Sequence, residues 1–227
     1  MVEGTKVVTE ALAGSLIEIE EIYGTPEWLA AHANLLRTSG GEVVSVTLRE
    51  LTKVSALKTP QGVLAVAAMP VVPLDLSQPQ HQLCLYLDGV RDPGNLGTIL
   101  RVADWFGFRH VYLSEDCVDI YHPKVIQASM GSVFRVTPMV GALSTLVAGG
   151  KIPVWCTALE GEPLWGLTPP THGLLVLGNE SHGIPSKDLG HCTQQVSIPS
   201  DFSLGAESLN VAVAAAICCA HFRAAGI

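Results

Sequence analysis

From Leu83 onward, short apolar runs alternate with helical stretches, and this alternation constrains the fold more than any other feature of the chain. Strands are expected at Leu83–Leu87, Val111–Leu113, Val133–Val136, Pro153–Thr157, Leu174–Leu177 and Gln195–Ile198, with helices between most of them. Leu174–Leu177 is apolar at every position, which is how a strand buried on both faces reads. A mainly parallel sheet covered by helices on both sides follows. In such sheets ligands bind beyond the carboxyl ends of strands, so the loops after Leu87, Leu177 and Ile198 are the places to look for chemistry.

Ahead of this region, Pro70 to Pro79 holds three prolines in ten residues and reads as a stiff, extended connection. It divides the chain into a small α/β unit over residues 1–69, a linker over 70–79 and a larger unit over 80–227. In the small unit, Gly4 to Ala13 is expected to be helical, and Leu16 to Ile22 alternates like a half-buried strand. Thr25 followed by Pro26 is an N-cap with proline in the first turn. Strands at Glu42–Val46 and Val63–Ala67 flank a helix at Leu48–Val54. A unit of about 65 residues has a small core and is marginal alone.

Composition excludes several classes. Of the 227 residues, 48% are hydrophobic and only 15% charged, which excludes disorder and hints at a large buried partner interface. The longest apolar run, Val211 to Ala220, has ten residues, whereas a membrane span needs about 20. The start, with acids where a signal peptide needs bases, predicts a cytoplasmic protein. Thirteen basic residues against 21 acidic ones leave a net charge of -8, split evenly between the two sides of Asp75, so neither part carries the basic excess usual in nucleic-acid binders. Arg91, Arg109, Lys124 and Arg135 would have to supply any basic surface. The six cysteines contain no C-x-x-C and are expected to be free, buried thiols; no metal site is expected, since the His and Cys lack ligand spacing.

Three loops carry candidate chemistry. In the first, Asp88 to Arg101, Gly97 and Arg101 share a helix face, so Gly97 would leave room for Arg101 to reach back toward the strand end. A guanidinium beside helix N-terminal amides suits a phosphate or a developing oxyanion; the alternative is a structural Arg paired with Asp88 or Asp92. In the second, the strand ending at Leu177 runs into Gly178-Asn179-Glu180-Ser181-His182-Gly183, whose glycines allow close approach of a ligand; the alternative is a turn in which Glu180 caps a helix. The dinucleotide pattern G-x-G-x-x-G is absent there. In the third, Ser208 is expected to cap a buried, apolar helix running to Phe222, and Asn210 either satisfies local backbone or orients a substrate group.

Taken together, Asn95-x-Gly97-x-x-x-Arg101, Leu177-Gly178-Asn179-Glu180-x-x-Gly183, and Ile198-Pro199 followed by Glu207-Ser208-Leu209-Asn210-Val211 resemble the three motifs of the SpoU (TrmH-like) branch of the SPOUT RNA methyltransferases. Residues 1–69 are similar, more weakly, to that family's ribosomal-protein-like substrate-binding domain. The resemblance implies an α/β fold whose mainly parallel sheet ends in a C-terminal trefoil knot, and a homodimer built on the C-terminal domain. It implies methyl transfer from S-adenosylmethionine to a ribose 2'-hydroxyl of structured RNA, ribosomal RNA before tRNA, with a non-catalytic RNA-binding module as the other alternative. Carried over by position, Leu177, Gly178, Asn179, Gly183, Ile198 and Leu209 would hold the cofactor, largely through backbone groups. Asn95, Arg101, Glu180, Ser208 and Asn210 would line the reaction site. The stretch from Pro199 to Glu207 is about two residues longer than is common in the family.

Overall fold

A computed structural model describes residues 1–14, 16–179, 181–201 and 207–224. The first unit contains β1 (Val2–Glu3), α1 (Thr5–Ala13), β2 (Ile19–Gly24), α2 (Pro26–Ala31), α3 (Ala33–Leu36), β3 (Glu42–Ser45), α4 (Leu48–Val54) and β4 (Val63–Ala67). Its strands form one sheet in the order β1-β4-β2-β3. The Thr25 cap is as expected, its hydroxyl accepting from the Trp28 amide with Pro26 in the first turn; Thr47 with Glu50 also closes a capping box on α4. This unit does not stand alone. Val8, Ile22 and Trp28 belong to the same apolar cluster as Leu96, Ile99 and Phe134 of the larger unit. Gln127 Nε2 donates to the Glu3 carbonyl at 2.7 Å, and Arg135 pairs with Glu10 across the junction.

The larger unit runs α5 (Gln78–His81), β5 (Leu83–Leu87), α6 (Pro93–Trp105), β6 (His110–Leu113), α7 (Pro123–Ser129), β7 (Thr137–Val140), α8 (Leu143–Val147), β8 (Val154–Pro163), β9 (Gly173–Leu177), α9 (Ser186–Leu189), β10 (Gln194–Ser197) and α10 (Val211–Ala224). Its six strands lie in the order β10-β8-β9-β5-β6-β7, all neighbours parallel. The chain starts in the middle at β5, builds outward through β6 and β7, then crosses to fill the other side. The order therefore reverses between β5 and β9, the kind of place beside which ligands bind in open parallel sheets. Leu87 and Leu177 are register partners, so the first two candidate loops leave the sheet side by side.

Three expectations need correction. Val133–Val136 is not a strand: Ser132–Phe134 form a 3₁₀ turn after Gly131, which has φ +93°, and the strand is Thr137–Val140. Val133, Phe134 and Val136 are all buried, so their apolar pattern did not distinguish turn from strand. β8 continues to Pro163, pairing again with β10 beyond a register shift at Gln195/Val196. The proline-rich stretch is anchored along its length: α5 begins at its end, and Tyr112 Oη donates to the Asp75 carbonyl at 2.5 Å. Two of the six cysteines are bonded, Cys156 to Cys192; Cys84, Cys218 and Cys219 stay buried, Cys117 is half-buried, and burial pushes these four thiols up. No helix among the described residues is long and apolar enough to cross a membrane. The path expected to close a knot, between β10 and α10, includes residues 202–206, which lie outside the described residues.

Candidate active site

Asp92 starts α6: its carboxylate accepts from the Asn95 amide at 2.8 Å, and Pro93 occupies the first turn. Gly97 has a different reason from the one its spacing suggested. A Cβ there would lie 2.5 Å from Ala128 Cβ and 2.7 Å from the Val125 carbonyl, so the glycine lets α6 and α7 touch and does not clear a path for Arg101. Arg101 lies on the solvent face of α6 and makes no ion pair among the described residues. The structural pairing with Asp88 or Asp92 is not formed.

Asp88, one residue past β5, is 4% exposed, and its Oδ2 has no hydrogen-bond partner. Burial raises its carboxyl to about 6, and the neighbouring carboxylates Asp188 and Asp116 push in the same direction.

The glycine loop folds back on itself. The Asn179 amide donates to the Gly183 carbonyl at 3.1 Å and the Gly183 amide returns to the Asn179 carbonyl at 2.9 Å. Gly178 is required by that fold: a Cβ on it would lie 2.5 Å from the Gly183 carbonyl carbon and 2.6 Å from the Ile184 nitrogen. Glu180 lies outside the described residues. In the third loop the helix begins at Val211, not after Ser208. Asn210 is the cap, its Oδ1 accepting from the amides of Ala212 at 2.9 Å and Val213 at 3.3 Å. Its Nδ2 reaches the first loop and donates to Asn95 Oδ1 at 2.9 Å. Asn210 thus satisfies local backbone, the first of its two expected alternatives, and also joins the first and third motifs, a contact its position in the sequence did not suggest.

A cavity of about 780 Å³ opens where the second and third loops face each other, within the range of small-molecule sites. Leu177, Gly178, Asn179, Gly183, Ile198 and Leu209 all line it, and so does Ser208. Asn95, Arg101 and Asn210 do not; Asn95 is tied to the rim through Asn210, whose neighbours Leu209 and Val211 are on the wall. Sequence reasoning missed the far wall, Thr157, Ala158 and Leu159 of β8. The signal was available, since β8 also ends on the carboxyl side of the sheet. The wall carries two carboxylates, Asp201 and Glu207, and among the described residues no Lys or Arg. Such a cavity disfavours a phosphate-bearing dinucleotide and suits a ligand with cationic centres.

Positive charge outside the cavity is sparse. Of the four expected basic residues, Arg91 is paired with Asp116 at 3.3 Å and Arg135 with Asp104 at 2.7 Å; Arg109 and Lys124 are exposed. Among the described residues no cluster of His, Cys, Asp or Glu could hold a metal ion.

Residues 82–220 match the SpoU rRNA methylase family. The chain belongs to this family. Residues 1–65 match the MRM3-like substrate binding domain. Among the relatives of this SpoU-family chain is the 23S rRNA (guanosine(2553)-2'-O)-methyltransferase RlmP of Bacillus subtilis, 32% identical over 227 residues, covering 98% of this chain and 88% of the relative. Human mitochondrial rRNA methyltransferase 3 is 34% identical over 158 residues, covering 67% of this chain; the match spans only 37% of the human protein. The AdoMet-bound rRNA methyltransferase of Sinorhizobium meliloti superposes with a TM-score of 0.84 at 27% identity, over 98% of this chain and 85% of that one.

Proposed function

We propose that the protein transfers the methyl group of S-adenosylmethionine to a ribose 2'-hydroxyl of ribosomal RNA. The observation that carries this is the charge of the cavity: two carboxylates and, among the described residues, no Lys or Arg, on a wall built from the loops that hold the family motifs. S-adenosylmethionine bears a sulfonium and an ammonium, and it supplies an activated methyl group. The bound cofactor of the Sinorhizobium meliloti relative supports the same choice. Leu177, Ile198 and Leu209 offer apolar contact to the adenosyl group, and the Asn179 and Gly183 carbonyls, each using one lone pair within the loop, keep a second for the cofactor.

The 2'-oxygen attacks the methyl carbon, the carbon–sulfur bond breaks with its electron pair going to sulfur, and the hydroxyl proton passes to solvent water. Arg101 is poorly suited to take that proton, because a guanidinium stays protonated. Its role here is to hold the substrate phosphate and stabilise the charge growing on the attacking oxygen. The Asn95–Asn210 hydrogen bond fixes the start of α6 against the start of α10, and so sets where Arg101 stands relative to the cavity. Ser208 on the wall and Glu180 complete the set carried over from the motifs.

Ribosomal RNA is favoured over tRNA by the substrate-binding match at residues 1–65 and by the names of the relatives. The same function implies a knotted C-terminal path, a cytoplasmic location beside the ribosome, and a homodimer. The dimer is supported by α10, which leaves Val213 48% exposed on the face turned from its own core. The test is to incubate the full chain with labelled S-adenosylmethionine and, separately, rRNA and tRNA, and to map the product. A 2'-O-methyl group on rRNA is expected. Label on a base, on tRNA alone, or on neither RNA would refute the proposal. Sedimentation equilibrium should give twice 24.0 kDa; a monomer at micromolar concentration would remove the dimer.

A further inference from the structure

We propose that Asn179 is a positioning residue that locks the cofactor loop to the loop launching α6. The motif comparison assigned it to cofactor binding, but every polar atom of its side chain is engaged within the protein. Its Nδ2 donates to the Gly89 carbonyl at 2.8 Å. Its Oδ1 accepts from the amides of Ser181 at 2.9 Å and His182 at 3.2 Å, with His182 Nδ1 at 3.3 Å. One amide group therefore does two separable things: the oxygen shapes the turn of its own loop, and the nitrogen ties that turn to the neighbouring one.

The tie is built on both sides. Gly89 has φ +66°, in the left-handed region glycine favours, and a Cβ there would already lie 3.7 Å from Asn179 Cβ and 3.3 Å from Asp116 Oδ2. The Gly89 amide is held by Ser114 Oγ at 2.9 Å, and the Asp88 amide by the Leu177 carbonyl at 2.8 Å. Three residues beyond Gly89, Asp92 caps α6, whose Asn95 meets Asn210 at the mouth of α10. The contacts form a circuit: the glycine loop, Asn179, Gly89, the start of α6, Asn95, Asn210, and back to the cavity wall at Val211. Asn179 is the link at which a change in the cofactor loop reaches the helix that carries Arg101.

This inference rests on the proposed methyl transfer, and two substitutions test it. Asn179→Asp keeps an oxygen for the Ser181 and His182 amides but faces the Gly89 carbonyl with an acceptor. Asn179→Ala removes both functions. For Asn179→Asp, calorimetry should give S-adenosylhomocysteine affinity within about threefold of the parent, while kcat for rRNA falls by about 30-fold or more, the scale on which misplaced catalytic groups lose rate. Hydrogen exchange should quicken over residues 88–95 and stay unchanged at Ser181 and His182. Asn179→Ala should lose cofactor affinity as well. A kcat for Asn179→Asp within a few-fold of the parent would overturn the inference. So would equal loss of S-adenosylhomocysteine binding in both variants, which would make Asn179 merely part of the cofactor loop. A parent protein that methylates no RNA would instead refute the function, a result separate from either of these.

Discussion

The buried carboxyl of Asp88 gives the fold a pH dependence opposite in sign to that of a typical salt-bridged acid. Burial comes first among its causes, followed by Asp188 from α9 and Asp116 from the loop after β6; Lys187 and the Ser114 hydroxyl pull the other way. Raising a carboxyl from its ordinary 3.8 to about 6 corresponds to about 3 kcal/mol between its protonation states. Solvent near the exposed Lys187 and Asp116 screens this to about 1–2 kcal/mol. Below pH 4 the group is protonated both folded and unfolded, and no penalty exists. Between pH 4 and 6 the unfolded chain ionises first, so stability falls; above 6 the penalty is constant. Asp88→Asn, nearly isosteric and neutral, should therefore be more stable than the parent at pH 8. For a chain of this length the gain is about 2–8 °C in Tm. The gain should shrink through pH 6 and vanish near pH 4. Thermal melts of both proteins across that range measure it. A gap that does not change with pH, or a variant less stable than the parent at pH 8, would refute the reasoning.

Three further outcomes are expected. Arg101→Ala should leave S-adenosylhomocysteine affinity within a few-fold and Tm unchanged, since Arg101 makes no ion pair among the described residues. Methyl transfer should drop by about 100-fold or more, and Arg101→Lys should restore little of it; a near-normal rate would remove Arg101 from the reaction. Gly178→Ala should cost at least about tenfold in cofactor affinity by calorimetry, because the added carbon forces the backbone at Gly183 and Ile184 to move; unchanged affinity would mean that the loop does not shape the site. Reducing Cys156–Cys192, which closes a separation of 36 residues, should lower unfolding free energy by up to about 4 kcal/mol in the chain-entropy account. Thiol titration in denaturant should then rise from four groups to six, and six groups before reduction would contradict the bond.

What the sequence made legible was set by local chemistry. Strands at Leu83–Leu87 and Val63–Ala67 and the helix at Leu48–Val54 fall where the pattern placed them, because strict burial or a capping box leaves one local solution. All six expected cofactor residues line one cavity for a similar reason: strand, glycine turn and helix start follow one another in the chain, and the sheet need only bring the strand ends together. What stayed hidden depended on partners far away in sequence. The extension of β8 exists because β10 pairs with it. Gly97 answers to Ala128 on another helix. The start of α10 depended on a choice between two good caps, Ser208 and Asn210, and Asn210 also gains Asn95 as a partner. Cys156 sits in β8 and Cys192 in the loop between α9 and β10, and no spacing rule brings them together.

The net charge of -8 looked like an argument against an RNA enzyme, and the arrangement of the site changes its meaning. The proposed reaction brings together a cationic methyl donor and a polyanionic acceptor. A uniformly basic groove would favour the RNA and repel the sulfonium. Here the two fields are kept apart: Asp201 and Glu207 face the cavity, while Arg101 stands on the outer face of α6. A carboxylate about 4 Å from a cation is worth about 1 kcal/mol in water and more where water is excluded. That attraction favours the reactant, since sulfur loses its charge as the methyl group leaves, so it aids capture of the donor and release of the product but does not lower the barrier. Lowering the barrier falls to the group facing the oxygen, whose negative charge grows along the same coordinate. In the proposed reaction, then, an acidic cavity and Arg101 on the outer face of α6 divide the labour, and the polar contacts that hold those two regions in register are expected to weigh on rate.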